Sequence, residues 1–339
     1  MSDFVIPEKE GKLVLVTGAT GFIGRALTAM LIARGYRVRA LLRKESNQGD
    51  SFQEQVEIHR SDLDNEVGLA QACNNVAVVF HLAGRAHAGT VDSRELLQVN
   101  VEGTRALADA CKKSGVKRFV YFSSVLAAAL DEGAGNASQA SGYARSKKSA
   151  EELLLAGAND DFQPTILRPV NVYGSGMKGN IAAMVRRIKA GSLPPLPRLS
   201  NSLALISVED LCQAAIVTAE SAASKCQIYT VCDGEVYTPN SLEHAIYGAL
   251  GRKKPGWRTP RMVFYAASLG AQIANNLGIW NNDMGLRTYR NLIGGDGAGQ
   301  ASQQQKICEK ISTELGFKPS QTFYDVLPEI IENLDEAAS

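Results

Sequence analysis

An apolar run rich in β-branched residues, KLVLVT at 12–17, reads as a short buried strand. A glycine cluster follows. Then FIGRALTAMLIARG at 22–35 places Ile23, Leu27, Met30 and Leu31 at helical spacing, and Gly35 can end the helix. YRVRALLR (36–43), VEIHRSDL (56–63), VAVVFHLAG (76–84), KRFVYFSS (117–124) and TILRPV (165–170) continue as strands, with helices over 94–113 and 143–156. Strands alternating with helices imply parallel βαβ units with right-handed crossovers, an α/β fold with a doubly wound parallel sheet. The pattern changes after about residue 174, and GSLPPLPRLSN (191–201), with its three prolines, reads as a loop. The expected division is a dinucleotide-binding domain over 1–174 and a smaller mixed substrate lobe over 175–339, with later strands free to return to the first sheet.

Composition narrows the class. The 339 residues are 45% hydrophobic and 21% charged, with a net charge of +1. That excludes a disordered chain and gives no bulk electrostatic reason to bind nucleic acid. Six cysteines include no C-x-x-C pair and the four histidines no H-E-x-x-H, so reduced, mostly buried thiols and no metal are expected. The opening MSDFVIPEKEGK carries charges where a signal peptide needs an apolar core. Met262 to Trp280 is broken by Gln272, Asn275 and Asn276; it is too short and polar to span a bilayer and reads as a helix. A soluble cytoplasmic enzyme with a small-molecule substrate, and with no membrane or nucleic-acid partner, is the expectation.

The turn Thr17-Gly18-Ala19-Thr20-Gly21-Phe22-Ile23-Gly24 sits between the first strand and the first helix. Free N–H groups and the positive dipole end of that helix suit a pyrophosphate. Gly18 would make the tight turn, Gly21 would admit the phosphates, and Gly24 would let helix and strand pack closely. The spacing is G-x-x-G-x-x-G, in the setting of a Rossmann-type dinucleotide fold. An acid at the end of the second strand would bind the ribose 2′-hydroxyl of NAD. Here that position holds Arg43, followed by Lys44, which favours the 2′-phosphate of NADP(H). NAD(H) is the alternative, with Glu45 on the ribose. Asp62 and Leu63, after the third strand, are placed to flank the adenine.

Tyr143 and Lys147 stand four apart in SGYARSKKSAEELLL and share a helix face. A free phenol has a pKa of about 10, a poor base at neutral pH. A nearby ammonium and a nicotinamide cation would lower it, about three units needing roughly 4 kcal/mol. Tyr143 would then exchange the proton of a carbonyl/alcohol pair while Lys147 also anchors the ribose. Ser124, at the end of KRFVYFSS, would hydrogen-bond the reacting oxygen; Ser123 is the second choice and a candidate substrate contact.

Together these residues resemble the extended short-chain dehydrogenase/reductase family of nucleotide-sugar epimerases, dehydratases and ketoreductases. The matching segments are TGATGFIG (17–24), FHLAG (80–84), VNVEGT (99–104), GVKRFVYFSS (115–124), YARSK (143–147), LRPVNVYG (167–174) and ELGFKP (314–319). The resemblance implies Ser124, Tyr143 and Lys147 as the catalytic triad. It implies that Thr20, Phe22, Ile23, Leu82, Ala83, Gly84 and Pro169 line the cofactor with the glycines. Asn100 falls in the active-site neighbourhood, where an asparagine can also be a helix cap. Asn171 matches a contact to sugar-nucleotide phosphates, and Asn180, in GMKGNI, belongs to the substrate region. Members of this kind act on UDP- or dTDP-sugars, including UDP-N-acetylhexosamines in surface-polysaccharide assembly. The family also often dimerises through the helices at 94–113 and 143–156.

Departures from the family pattern sharpen the reading. Dehydratases carry an Asp-Glu pair where this chain has Val125 and Leu126, and AAAL (127–130) replaces the usual V-Y-G. Leu203 stands where an arginine is usual, leaving Arg198, Arg287 and Arg290 as candidates for the phosphates. The function implied is NADPH-dependent reduction of a 4-keto nucleotide sugar. A 4-epimerase with tightly held NAD, or a reductase of a non-sugar ketone, are the alternatives.

Overall fold

The computed structural model describes residues 11–45, 55–85, 93–131, 141–199, 201–276 and 308–336. The chain forms two compact units. One comprises Met1–Val170, Val208–Val231 and Lys310–Lys318; the other comprises Asn171–Ser207, Cys232–Glu309 and Pro319–Ser339.

The first unit is built on seven strands: β1 (Leu13–Thr17), β2 (Arg37–Leu42), β3 (Val56–Arg60), β4 (Val78–His81), β5 (Arg118–Phe122), β6 (Gln163–Pro169) and β9 (Ile228–Val231). They form one parallel sheet in the order β3-β2-β1-β4-β5-β6-β9. This is a Rossmann-like α/β architecture. Every residue of β1, β4 and β5 is buried, as a parallel sheet covered on both faces requires. Helices α1 (Phe22–Ala33), α2 (Glu66–Cys73), α3 (Ser93–Leu97), α4 (Gly103–Lys113), α5 (Gly142–Ala156) and α7 (Val208–Glu220) complete the unit. The strand order reverses between β1 and β4, which opens a ligand crevice beyond their carboxyl ends.

α7 and β9 return to this unit after the chain has visited the second one. Arg118, at the start of β5, fixes that return. Its guanidinium donates to the carbonyls of Thr218, Ala219 and Ser221, the last turn of α7, and to the Ser224 hydroxyl. These are carbonyls a helix end otherwise leaves without partners.

The helix expected over 94–113 is instead broken. Between α3 and α4 lies a π-helical turn, Gln98–Glu102, with Asn100 buried within it. The extra residue per turn redirects Asn100 inward, a local departure common at functional sites. Asn100 is therefore not a helix cap. Ala108 and Ala110 of α4 are buried in the core with Leu107 and Cys111.

The second unit holds a two-stranded parallel sheet of β7 (Asn171–Tyr173) and β8 (Leu205–Ser207) with α6 (Asn180–Lys189), α8 (Pro239–Ala249), α9 (Arg261–Asn276) and α10 (Phe323–Glu336). The proline-rich loop forms neither helix nor strand over its described residues. Tyr173 and Tyr237 both donate to Asp233, and the Tyr237 oxygen accepts the Phe323 amide. Cys232 and Cys308, 5.9 Å apart at Cα, are joined as a disulfide. This corrects the expectation of thiols only. With a sequence separation of 76, no local motif marks the pair.

Candidate active site

The turn after β1 is shaped by missing side chains. Gly18 has φ +70°, and a Cβ there would lie 2.8 Å from the Ala83 nitrogen and 2.9 Å from the Leu82 carbonyl carbon. A Cβ on Gly24 would overlap the Gly18 carbonyl oxygen. Glycine therefore lets the exits of β1 and β4 and the start of α1 meet backbone to backbone. Gly21 caps α1 with no side chain bonded over it, so the first N–H groups stay open, flanked by Thr20 and half-buried Phe22 and Ile23. These features fit the diphosphate of a dinucleotide, which needs open donors and no Cβ in its way.

Below the turn lies a buried chain of hydrogen bonds that sequence reading missed. The Ala83 N–H donates to Thr17 Oγ1 at 3.0 Å, and Thr17 stands 2.7 Å from His81 Nδ1. On the other side His81 Nε2 lies 2.9 Å from Thr104 Oγ1, which donates to the Asn100 carbonyl at 2.7 Å. Each hydroxyl has one proton. Thr104 spends its proton on Asn100, so it accepts from His81 Nε2–H, and Thr17 donates to Nδ1. Burial, with the nearby Lys147 charge, pushes the His81 pKa down to about 3, so the ring is neutral. It is a rigid spacer beneath the crevice.

At the edge of the sheet, Arg43, Lys44 and Glu45 follow β2 and are exposed. The Lys44 amide is 3.4 Å from Asp62 Oδ1, which brings Arg43 and Asp62 to one edge. Leu63 packs inward, in the space that Gly103 leaves without a Cβ.

Ser124 ends the segment after β5 and caps a 3₁₀ turn, Val125–Leu130; its Oγ accepts from the Leu126 amide at 3.2 Å. The hydroxyl also acts on the Tyr143 phenol, favouring its ionised form. Tyr143 lies in the first turn of α5, whose cap is Ser141. That turn is fastened from behind. Ser146 Oγ donates to the Tyr143 carbonyl, Asn100 Nδ2 donates to Ser146, and Asn100 Oδ1 accepts the Arg85 amide at 2.7 Å. The π-turn thus ties the exit of β4 to α5. Lys147, one turn on, is buried; its Nζ donates to the Phe122 carbonyl at 2.8 Å and lies 4.6 Å above the Tyr121 ring. A Cβ on Gly84 would come within 3.5 Å of that amine. Ser124, Tyr143, Lys147 and Gly84 therefore gather at the carboxyl edge of the sheet.

Burial lowers the Lys147 pKa to about 8, with the Glu151 charge opposing. Burial raises that of Tyr143, against the hydrogen bond to Ser124. From the sequence, Lys147 is expected to lower the phenol pKa. In this structure desolvation prevails, and the phenol is protonated at neutral pH.

Ser123 faces the other way. It donates its hydroxyl to buried Glu151, so its one proton is committed inside the protein and away from a substrate. Glu151 also accepts from Arg168 Nε at 2.9 Å and from Nη2 at 2.5 Å. Arg168 reaches on to Asp131, which also binds Lys148 at 2.6 Å. Pro169, buried, closes β6 beside this network. Asn171 and Asn180 are exposed in the second unit, at the starts of β7 and α6. Leu203 pairs by backbone with Tyr237. Arg198 lines a cavity of about 410 Å³ with Arg258 and Arg261 in the second unit, while Arg287 and Arg290 lie outside the described residues.

Residues 14–232, from β1 past the end of β9, match the model of the NAD dependent epimerase/dehydratase family. The chain belongs to that family. It is an enzyme of the NAD-dependent oxidoreductase type. UDP-glucose 4-epimerase of Vibrio cholerae is 30% identical over 266 residues, 74% of this chain and 79% of that protein. A 2-alkyl-3-oxoalkanoate reductase of Stenotrophomonas maltophilia is 28% identical over 253 residues, 70% of this chain and 76% of that one. The solved structure of MoeE5 in complex with UDP-glucose and NAD shares the fold, with TM-score 0.70 and 23% identity, covering 97% of this chain and all of MoeE5. The family thus includes both epimerases and reductases, and the site geometry has to separate them.

Truncating one member of a buried ion pair leaves the other charge unpaired, at a cost of about 3–5 kcal/mol. Arg168→Met should therefore lower stability by about that much in urea denaturation. Glu151→Leu combined with Arg168→Met should lose less than the sum of the single changes. Additive losses would show that the two side chains do not act together.

Proposed function

We propose that this protein is an NADPH-dependent reductase of a keto group, at C4 of a nucleotide-linked sugar. The observation that carries the reading is the half-buried Tyr143 phenol, kept protonated by desolvation against the influence of Ser124, one helical turn before buried Lys147. A group that holds its proton at rest is suited to giving one up, as carbonyl reduction demands. In the opposite direction the phenolate would have to form first.

When bound, the dinucleotide supplies the hydride. Gly18, Gly21 and Gly24, with the α1 amides, would hold its diphosphate. Leu82, Ala83 and Gly84 would lie along it, and Arg43 at the exposed end of β2 would meet a 2′-phosphate. Ser124 orients the substrate oxygen, Tyr143 delivers the proton to it, and Lys147 offsets the negative charge left on the phenol. Val125 and Leu126 supply no acid or base after Ser124, which sets dehydration aside.

Support for the sugar comes from the Vibrio cholerae relative and from the UDP-glucose ligand of MoeE5. UDP-glucose and UDP-N-acetylhexosamine derivatives are the substrates we favour, with Asn171, Asn180 and Arg198 as contacts in the second unit. The same relative favours a second reading, a 4-epimerase with tightly held NAD. A copurified nucleotide separates them: retained NAD marks the epimerase, while an empty site that prefers NADPH marks the reductase.

Three outcomes are expected. Tyr143→Phe should cut turnover by at least about a hundredfold, the usual contribution of a positioned proton donor, and leave cofactor affinity unchanged in fluorescence titration. Retained turnover would refute the proton role. Arg43→Ala should weaken NADPH by about 1.5–3 kcal/mol, roughly ten- to a hundredfold, and leave NADH nearly unaffected. Equal losses would remove the NADP preference. The free enzyme should lose cofactor affinity as pH rises through about 8, where Lys147 gives up its proton. Since the pKa is depressed on folding, the unfolded chain holds more protons between about 8 and 10.5, and this residue makes stability rise with pH over that window. Affinity that stays flat across it would detach Lys147 from the cofactor.

A further inference from the structure

Helix α9 has no charged residue after Arg261; positions 262–276 read MVFYAASLGAQIANN. Its inner side is formed by buried Phe264, Ser268 and Ala271, with the Ser268 hydroxyl turned back to the Phe264 carbonyl at 2.9 Å. Its outer side carries Met262, Tyr265, Leu269 and Ile273, spaced three, four and four apart along one face. These are 79%, 41%, 36% and 51% exposed, and neighbouring Val263 is also exposed. A helix on a protein surface normally turns polar residues to water. This one carries apolar residues on its outer side as far as Ile273, with Gln272, Asn275 and Asn276 near its end.

The segment just before it is the reverse. RKKPGWRTPR, residues 252–261, holds five cations and no acid in a chain whose overall charge is only +1. Trp257, in its middle, is 59% exposed. Lys254 is paired with buried Glu243, and Arg252 donates to the Ile188 and Lys189 carbonyls. Arg258, 3.9 Å from Glu243, and Arg261, which donates to the Arg198 carbonyl, line an open cavity with Arg198, and Lys253 is exposed. An exposed apolar helix face, a neighbouring indole and a local excess of positive charge are the three features of a segment that lies in a membrane interface.

We infer that this face of the second unit docks on an anionic phospholipid bilayer. Met262, Leu269 and Ile273 enter the acyl boundary, Trp257 sits at headgroup level, and Lys253, Arg258 and Arg261 meet the lipid phosphates. Charge selects this occupant. A second copy of the chain would present the same cations, whereas an anionic lipid surface presents their complement. No described helix is long and apolar enough to cross a membrane, so the contact is with the surface. The absence of a membrane partner expected from the sequence concerns a spanning segment, not the bilayer surface. The inference does not depend on which ketone or sugar the first unit reduces.

Cosedimentation of the full chain with vesicles tests it. Vesicles of phosphatidylcholine with phosphatidylglycerol should carry the protein down, phosphatidylcholine alone should not, and added salt should weaken the binding. In a Trp280→Phe background, Trp257 emission should shift to the blue on the anionic vesicles. Leu269→Glu with Ile273→Glu should lower binding by at least about tenfold, because two acyl-seated groups become charged. Lys253→Glu, which leaves α9 untouched, should weaken it severalfold, and turnover of a soluble substrate should persist in both variants. A protein that stays in the supernatant with anionic vesicles at low salt overturns the inference. So does binding indifferent to these substitutions. Light scattering that shows a dimer which Leu269→Glu separates would assign the face to a second copy and likewise overturn it.

Discussion

The carboxylate of Glu151, almost wholly removed from water, ties together the elements of the first unit on which Ser124, Tyr143 and Lys147 stand. It accepts from Ser123 at the end of β5 and from Arg168 on β6, and it sits one turn beyond Lys147 on α5. Three elements are thereby locked in one register. A buried charge is costly without partners, and this one has three donors aimed at it. The same carboxylate works against the desolvation of Lys147, whose amine would otherwise lose its proton more readily.

The neighbouring charges divide the labour. Lys147 lies over the Tyr121 ring and against the Phe122 carbonyl, so its position is fixed before any ligand arrives. Tyr143 is held by its main chain, through Ser146 and Asn100, and Ser124 acts on its phenol. Electrostatic preorganisation of this kind suits a site that must meet developing charge without rearranging.

Much of this was legible in the residues, and the exceptions share a cause. The parallel strands could be read because their residues are buried on both faces and interrupted by glycine. The Gly18 to Gly24 turn and the order Ser124, Tyr143, Lys147 could be read because each lies within a short local stretch. His81 could not, since its partners Thr17 and Thr104 come from other strands and helices and only the sheet brings them together. Glu151 and Arg168 look like ordinary surface charges in sequence and prove to be buried. The π-turn at Gln98–Glu102 keeps a helical composition, so nothing local announces its extra residue. Ser123 and Ser124 are chemically alike. Only the alternation of a strand end, which sends neighbouring side chains to opposite faces, assigns one to the ion network and the other to the site.

The sheet's outermost strand has a bearing on biogenesis. Among the described residues β9, Ile228–Val231, is the strand paired along the far side of β6, and it arrives after the chain has built part of the second unit. While the polypeptide leaves the ribosome, β6 is therefore an open edge until that later segment arrives. Such edges invite pairing with other nascent chains. Pro164, which lacks an amide hydrogen and faces this edge, blunts it at its start.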